Sequence, residues 1–182
     1  MPVPVQIAGR ISSITNAFIS SIVPAIMPTE EEVAASLQIL ELNPADLQCA
    51  YCGDKASEWD HLRPLVIDQR PTGYISEIRN LVPSCGKCNQ SKGNKNWRDW
   101  IISEARLSPK TRGIPNLPKR IERLEAYETW SPSAQRLNLQ ELVGEDLWRK
   151  HWQNWQDLLD AMRRCHTHAQ DIANKLRDHA KA

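Results

Sequence analysis

Cys49-Ala50-Tyr51-Cys52 and Cys85-Gly86-Lys87-Cys88 are two Cys-x-x-Cys pairs separated by 32 residues, Gly53 to Ser84. Each pair can present two thiolates from one tight turn, and four thiolates at this spacing suit a tetrahedral Zn²⁺. Gly53 and Gly86 stand where such turns need permissive backbone. Four protein thiolates leave no open position for a substrate, so Cys49, Cys52, Cys85 and Cys88 are read as a structural zinc clamp. The gap is wider than that of a compact zinc ribbon, so the segment between the pairs must be a substructure of its own. In so small a module, metal ligation can supply much of the folding free energy.

Inside the gap lies Trp59-Asp60-His61-Leu62-Arg63-Pro64-Leu65. Further on, Asn80-Leu81-Val82-Pro83-Ser84 leads into the second cysteine pair and then Asn89-Gln90-Ser91-Lys92-Gly93. Taken in order, these elements resemble the HNH endonuclease family, whose fold is the ββα-metal finger. The family pattern is Cys-x-x-Cys, Asp-His followed by a proline, Asn-Leu-x-Pro, then Cys-x-x-Cys-Asn/His-x-x-Lys. The resemblance covers about 50 of the 182 residues.

It implies phosphodiester hydrolysis, which needs an activated water and a cation to hold the charge that builds on phosphate oxygens. His61 is the general base, since imidazole titrates near neutral pH. Asp60 and Asn89 are the expected ligands of a catalytic Mg²⁺ or Mn²⁺, being hard oxygen donors. Asn80 is expected to brace the loop and orient the histidine. Lys92, Arg63, Arg79 and Lys95 are the expected substrate contacts, Lys92 through phosphate or else by contacting the loop. Many relatives carry a Gly-Gly pair between the proline and the central asparagine; here the loop has Pro71-Thr72-Gly73, which bears on loop shape.

Outside this core, residues 87 to 120 hold nine basic residues against Asp99 and Glu104, a local balance of +7, which could track a phosphate backbone. The whole chain is near neutral, at +1, so any basic surface must be local. Trp97 and Trp100 could stack on bases, but their helix spacing favours core positions beneath the cysteine turns. No sequence-reading element such as a helix-turn-helix is visible.

The flanks read as helical. Ile7, Ile11, Ile14, Phe18 and Ile22 recur at helix spacing. Thr29 with Glu32 forms a capping box, predicting a helix from Glu30 to Leu42 that Asn43 and Pro44 end. Residues 106 to 118 read as a connector, Leu117 to Trp130 as a helix, and Ser131 and Pro132 as a turn. A long helix is predicted from about Glu141 to Lys181, ~60 Å at 1.5 Å per residue. Trp148, Trp155, Met162, Ala169 and Leu176, with Trp152, Leu159, His166, Ala173 and Ala180 four behind, give it a coiled-coil-like seam. Cys165, His166 and His168 do not share a helix face, which argues against a second metal site.

The expected fold is mainly α with a small ββα-metal module, a helical N-terminal extension and a long helical C-terminal one. The expected segments are 1–44, 45–105 (the nuclease module) and 106–182, the last an oligomer or partner interface. The expected partners are DNA and either a second copy or a larger protein such as an ATPase, as in Septu-type anti-phage systems whose HNH subunits have this general build. No stretch has the ~18 apolar residues of a membrane span, and no signal peptide is read, so a reducing cytoplasm is expected. A stand-alone restriction or mobile-element nuclease, and a non-catalytic zinc-dependent binding module, are the competing readings.

Overall fold

A computed structural model of the chain describes residues 6–130 and 132–180. The chain divides into two compact units, Val23–Leu137 and a second made of the residues up to Ile22 together with those from Asn138 onward. The cysteine-bearing unit is therefore wider than the 45–105 segment read from sequence. As expected, the protein is mainly α with one small β module.

The Val23–Leu137 unit opens with helix α2 (Glu30–Ile39), which follows α1 (Ile11–Ser20) of the other unit in chain order. The capping box is formed: the Glu32 amide donates to Thr29 Oγ1 at 3.2 Å, and the Thr29 amide donates to Glu32 Oε2 at 2.9 Å. The helix stops three residues earlier than predicted. Glu41 takes a left-handed φ of 51°, and the Leu42 amide returns to the Leu37 carbonyl at 2.9 Å, a Schellman closure with glutamate where glycine is usual. Ion pairs from the Glu41 carboxylate to Lys119 and Arg123 help hold that conformation.

The centre of the unit is a two-stranded antiparallel ribbon, β1 (Glu58–His61) with β4 (Leu81–Ser84), in the register Glu58↔Ser84, Asp60↔Val82 and His61↔Leu81. Between them sits a smaller ribbon, β2 (Val66–Ile67) with β3 (Arg70–Pro71). Its two-residue turn, Asp68-Gln69, has φ of 49° and 61°, the I′ pattern built without glycine. After β4 the chain turns directly into α3 (Gly86–Lys92), completing the ββα order. Helices α4 (Trp97–Ile101) and α5 (Leu117–Glu128) follow. The core gathers Leu40, Tyr51, Leu62, Val82, Trp97, Trp100, Leu124 and Tyr127 around the four cysteines. Trp100 meets the Tyr51 ring edge-on at 5.2 Å. Both tryptophans are thus core residues beneath the cysteine turns, unavailable for stacking on bases. Helix α5 ends two residues short of Trp130, whose ring instead carries the Arg79 guanidinium 4.1 Å from its centroid.

The basic stretch from 87 to 120 is largely neutralised in place. Lys92 pairs with Asp60, Arg98 with Glu125 and Glu128, Lys110 with Glu104, Arg112 with Asp54, and Lys119 with Glu41. The acidic partners of four of these five pairs lie outside the stretch, which is why its local balance overstated the charge it displays.

In the second unit a short 3-10 turn (Ile7–Arg10) runs into α1 (Ile11–Ser20). Its most buried residues are Thr15 and Ile19, with Ile11, Ile14, Phe18 and Ile22 only half-buried beside them. The face is rotated from the predicted stripe because Thr15 is a polar residue with satisfied bonds. Its hydroxyl donates to the Ile11 carbonyl and accepts from the Trp155 indole at 3.1 Å. Gly144, at φ 84°, splits the predicted long helix into α6 (Leu139–Val143) and α7 (Glu145–His179). The 35 residues of α7 make it about 52 Å long. Only Trp155 and Leu159 of the seam are buried; Ile172 and Leu176 are exposed. Ser131 and Lys181, named in the sequence reading, lie outside the described residues. No helix among the described residues is long and apolar enough to cross a membrane.

Candidate zinc clamp and nuclease site

The first cysteine turn is set by backbone bonds: the Cys49 amide donates to the Asp54 carbonyl at 2.7 Å and the Gly53 amide to the Cys49 carbonyl at 2.8 Å. Gly53 has φ 83°, and an added Cβ would stand 2.4 Å from the Arg120 guanidinium, so this position requires glycine. Gly86 differs from expectation. It is the first residue of α3 and has no positive φ; what its small size allows is the approach of Glu58 Oε1, which a Cβ would meet at 3.1 Å.

The four sulfurs lie within 4.8 Å of one another and all four cysteines are buried. Cys52 and Cys85 Sγ are 3.6 Å apart, close to the ~3.8 Å edge of a tetrahedron built on 2.3 Å Zn–S bonds. Hydrogen bonds from the Cys52 and Cys88 thiols pull the Cys49 thiol down to about 3, while the same coupling pushes the Cys88 thiol up. The Arg112 guanidinium donates to Cys88 Sγ at 3.4 Å, a cation that helps offset thiolate charge. Donor set, spacing and burial all fit a four-thiolate zinc.

On β1, side chains alternate. His61 lies half-buried, with Nε2 3.0 Å from Ser76 Oγ. Burial, with the nearby Lys92 charge, lowers its pKa to about 4, so the imidazole is neutral and able to accept a proton at pH 7. Asp60 turns the other way, into the core. Its Oδ2 accepts from the Tyr51 hydroxyl at 2.7 Å, and Lys92 Nζ lies 3.1 Å from the same oxygen. Burial pushes the Asp60 carboxyl up, against the pull of Lys92 and Tyr51, and pushes the Lys92 ammonium down.

Lys92 corrects the sequence reading most clearly. It is 0% exposed, and its Nζ donates to the His61 carbonyl at 2.6 Å as well as to Asp60. A wholly buried ammonium that ties α3 to β1 does not reach a substrate phosphate in this structure. Asn80 is also fully buried. Its Oδ1 accepts from the Arg63 amide at 2.8 Å, and its Nδ2 donates to the Arg63 and Ile75 carbonyls at 3.0 and 3.3 Å. These bonds close the 63–75 loop and fix the chain as it leaves His61.

Asn89 is hydrogen-bonded to a carboxylate other than Asp60. Its Nδ2 donates to Glu58 Oε2 at 2.8 Å, so the carboxylate next to it is the exposed Glu58, two residues before Asp60 on the same strand face. Glu58 was missed in the sequence; the Glu-x-Asp alternation before His61 was the available signal. Arg63 is held by Glu128, through its carbonyl at 2.8 Å and its carboxylate at 3.6 Å. Half-buried Arg79 donates to the Pro132 carbonyl, and exposed Lys95 to the Ser91 carbonyl. Among the described residues, no histidine, cysteine or carboxylate group of three or more gathers around a possible metal apart from the four cysteines.

A ββα unit stapled by a four-thiolate clamp, with a histidine on the first strand and an asparagine on the helix, is a ββα-metal finger. Residues 49–95 match the family model for the HNH endonuclease, so the chain carries an HNH endonuclease domain. A stretch of 57 residues is 42% identical to part of the CRISPR-associated endonuclease Cas9 of Corynebacterium diphtheriae, covering 29% of this chain and 5% of that protein. The shared stretch is thus a small part of either protein. No solved structure matches the chain significantly.

Proposed function

We propose that the protein hydrolyses phosphodiester bonds of DNA through the HNH module, with His61 as the general base. The observation that carries this reading is the placement of a neutral, half-buried imidazole on β1, on the ribbon that the cysteine clamp fixes to α3. His61 accepts the proton of the attacking water, and Ser76 Oγ holds the ring in orientation. Attack at phosphorus breaks the bond to the 3′ oxygen, leaving 5′-phosphate and 3′-hydroxyl ends as in the family.

Glu58 and the amide oxygen of Asn89 would hold Mg²⁺ or Mn²⁺, which requires Asn89 to turn from its Nδ2 bond to Glu58; Asp60 could join them only by giving up Tyr51 and Lys92. When bound, such an ion supplies charge stabilisation to the phosphate oxygens. The setting proposed is the cytoplasm, as the nuclease effector subunit of a bacterial defence complex whose larger partner, such as an ATPase, engages the helical flanks. The near-neutral net charge and the exposed apolar residues of α7 support a nuclease that works in company.

The test is plasmid cleavage with Mg²⁺ or Mn²⁺, alone and with candidate partners. His61→Ala is expected to lose at least about a hundredfold in rate. Equal background cleavage by wild type and variant under every condition would favour the binding-module reading, which the burial of Asp60 against Lys92 also suits.

A further inference from the structure

Beside the His61 strand, inside the Val23–Leu137 unit, lies a pocket of about 440 Å³. That volume falls in the ~300–1,000 Å³ range of small-ligand sites. Three arginines line it, Arg63 and Arg70 from the loop after His61 and Arg136 from the end of the unit. Glu128 is the one acidic side chain on its wall, and its carboxylate is shared between Arg63 and Arg98. The pocket therefore carries a cationic excess.

The arginines are organised. Arg63 and Arg136 both lie within 6 Å of the Tyr74 ring centroid, at 5.5 and 5.9 Å, so one aromatic ring positions two guanidinium groups. Arg136 is steadied by its bond to the Thr72 carbonyl. Arg70 stands on the β2–β3 ribbon just past the Asp68-Gln69 turn, where two non-glycine residues hold left-handed backbone. Such backbone is costly and persists where its surroundings determine it, often at ligand sites.

Arg63 Nη1 and Trp97 Nε1, on two of the lining residues, are buried donors with no hydrogen-bond partner among the described residues. An unmet buried donor costs on the order of 1–3 kcal/mol. Ile67 and Pro71 add apolar surface to the same pocket, which a base or sugar can cover.

We propose that this pocket binds one phosphorylated nucleotide unit, its phosphate oxygens accepting from the Arg63–Arg70–Arg136 cluster and its base or sugar covered by the Ile67–Pro71 wall. The proposal rests on the nuclease reading for its biological sense: a strand nucleotide gripped here is held by the loop that begins one residue past His61.

The experiment measures anisotropy of a labelled 12-nucleotide single-stranded DNA with the full chain carrying His61→Ala, which prevents cleavage. Arg70→Gln and Arg136→Gln, singly and together, are compared with this parent after circular dichroism confirms their fold; both positions are exposed. The double variant is expected to bind at least about tenfold more weakly. Its log–log salt slope should be shallower by about 0.7 for each phosphate that is no longer neutralised. Unchanged affinity and slope in the folded variants overturn the pocket.

Unlabelled oligonucleotide, a deoxynucleoside monophosphate and inorganic phosphate serve as competitors. Displacement by oligonucleotide alone identifies a strand nucleotide. Equal displacement by the monophosphate identifies a free nucleotide. Displacement by inorganic phosphate as strong as by either overturns the nucleotide assignment. Wild-type plasmid cleavage is run alongside: no cleavage with weakened binding in the variants sinks the nuclease reading and leaves the pocket standing. Cleavage with unaltered variant binding does the reverse.

Discussion

At the scale of single residues, His61 departs clearly from its free counterpart. Its pKa near 4 follows from burial and from the Lys92 charge, both of which disfavour imidazolium. In a proton NMR titration the His61 ring is expected to change protonation near pH 4, far below the ordinary 6.5; a midpoint at or above 6.5 would contradict the buried placement. The sign of the linkage follows. Between about pH 6.5 and 4 the unfolded chain takes up a proton that the folded chain refuses, so stability falls as pH drops through that window. The identities of His61, Asn80 and the four cysteines were legible in the sequence, because the spacing and order of the motif carry them. The partners of Asp60 and Asn89 were not. Which of Glu58 and Asp60 meets Asn89 depends on the register of β1 on β4 and the position of α3, and spacing along the chain encodes neither.

Among the elements, the clamp joins the turn before β1 to the start of α3, and the hydrophobic cluster that includes Tyr51, Trp97 and Trp100 is assembled around it. The purified protein is expected to hold about one zinc per chain. Its removal by a strong chelator should broaden the tryptophan indole NMR signals of this unit as its packing is lost, because binding energy at such a site is folding energy. A chelated, metal-free protein with unchanged spectra would refute the structural role. The α2 capping box was readable because Thr29 and Glu32 act over one turn. The true end of α2 was not, since a glutamate in a left-handed conformation is favoured by Lys119 and Arg123, which arrive from α5. Gly144 was visible in the sequence, yet helix-like periodicity on both sides masked the break it makes between α6 and α7.

For the molecule as a whole, periodicity identified the long C-terminal helix but left its contacts open. Leu147, Ile172 and Leu176 of α7 are exposed, while Trp155 and Leu159 are covered. If the helical flank engages a second copy or a larger protein, light scattering on the purified chain, alone and co-expressed with candidate partners, should give a mass above 20.8 kDa. A monomer under both conditions that nonetheless cuts DNA would remove the partner requirement. The charge balance of a linear window misled for a related reason: ion pairs are made across the fold, and Glu41, Asp54, Glu125 and Glu128 lie outside the window they neutralise.

The buried pair of Asp60 and Lys92 also constrains how this protein can change. Removing either member alone strands a charge in the core, a loss of roughly 3–5 kcal/mol, whereas replacing both with uncharged residues of similar volume is often close to neutral. Positions 60 and 92 should therefore be strongly epistatic for folding. In urea denaturation, Asp60→Asn with Lys92→Met is expected to lose far less stability than the two single changes added together; additive losses would show the pair to be energetically uncoupled. For stability alone, the viable route between the charged and uncharged versions of this core then passes through simultaneous or compensated change, which makes the aspartate before the histidine and the lysine at the end of α3 a single inherited character.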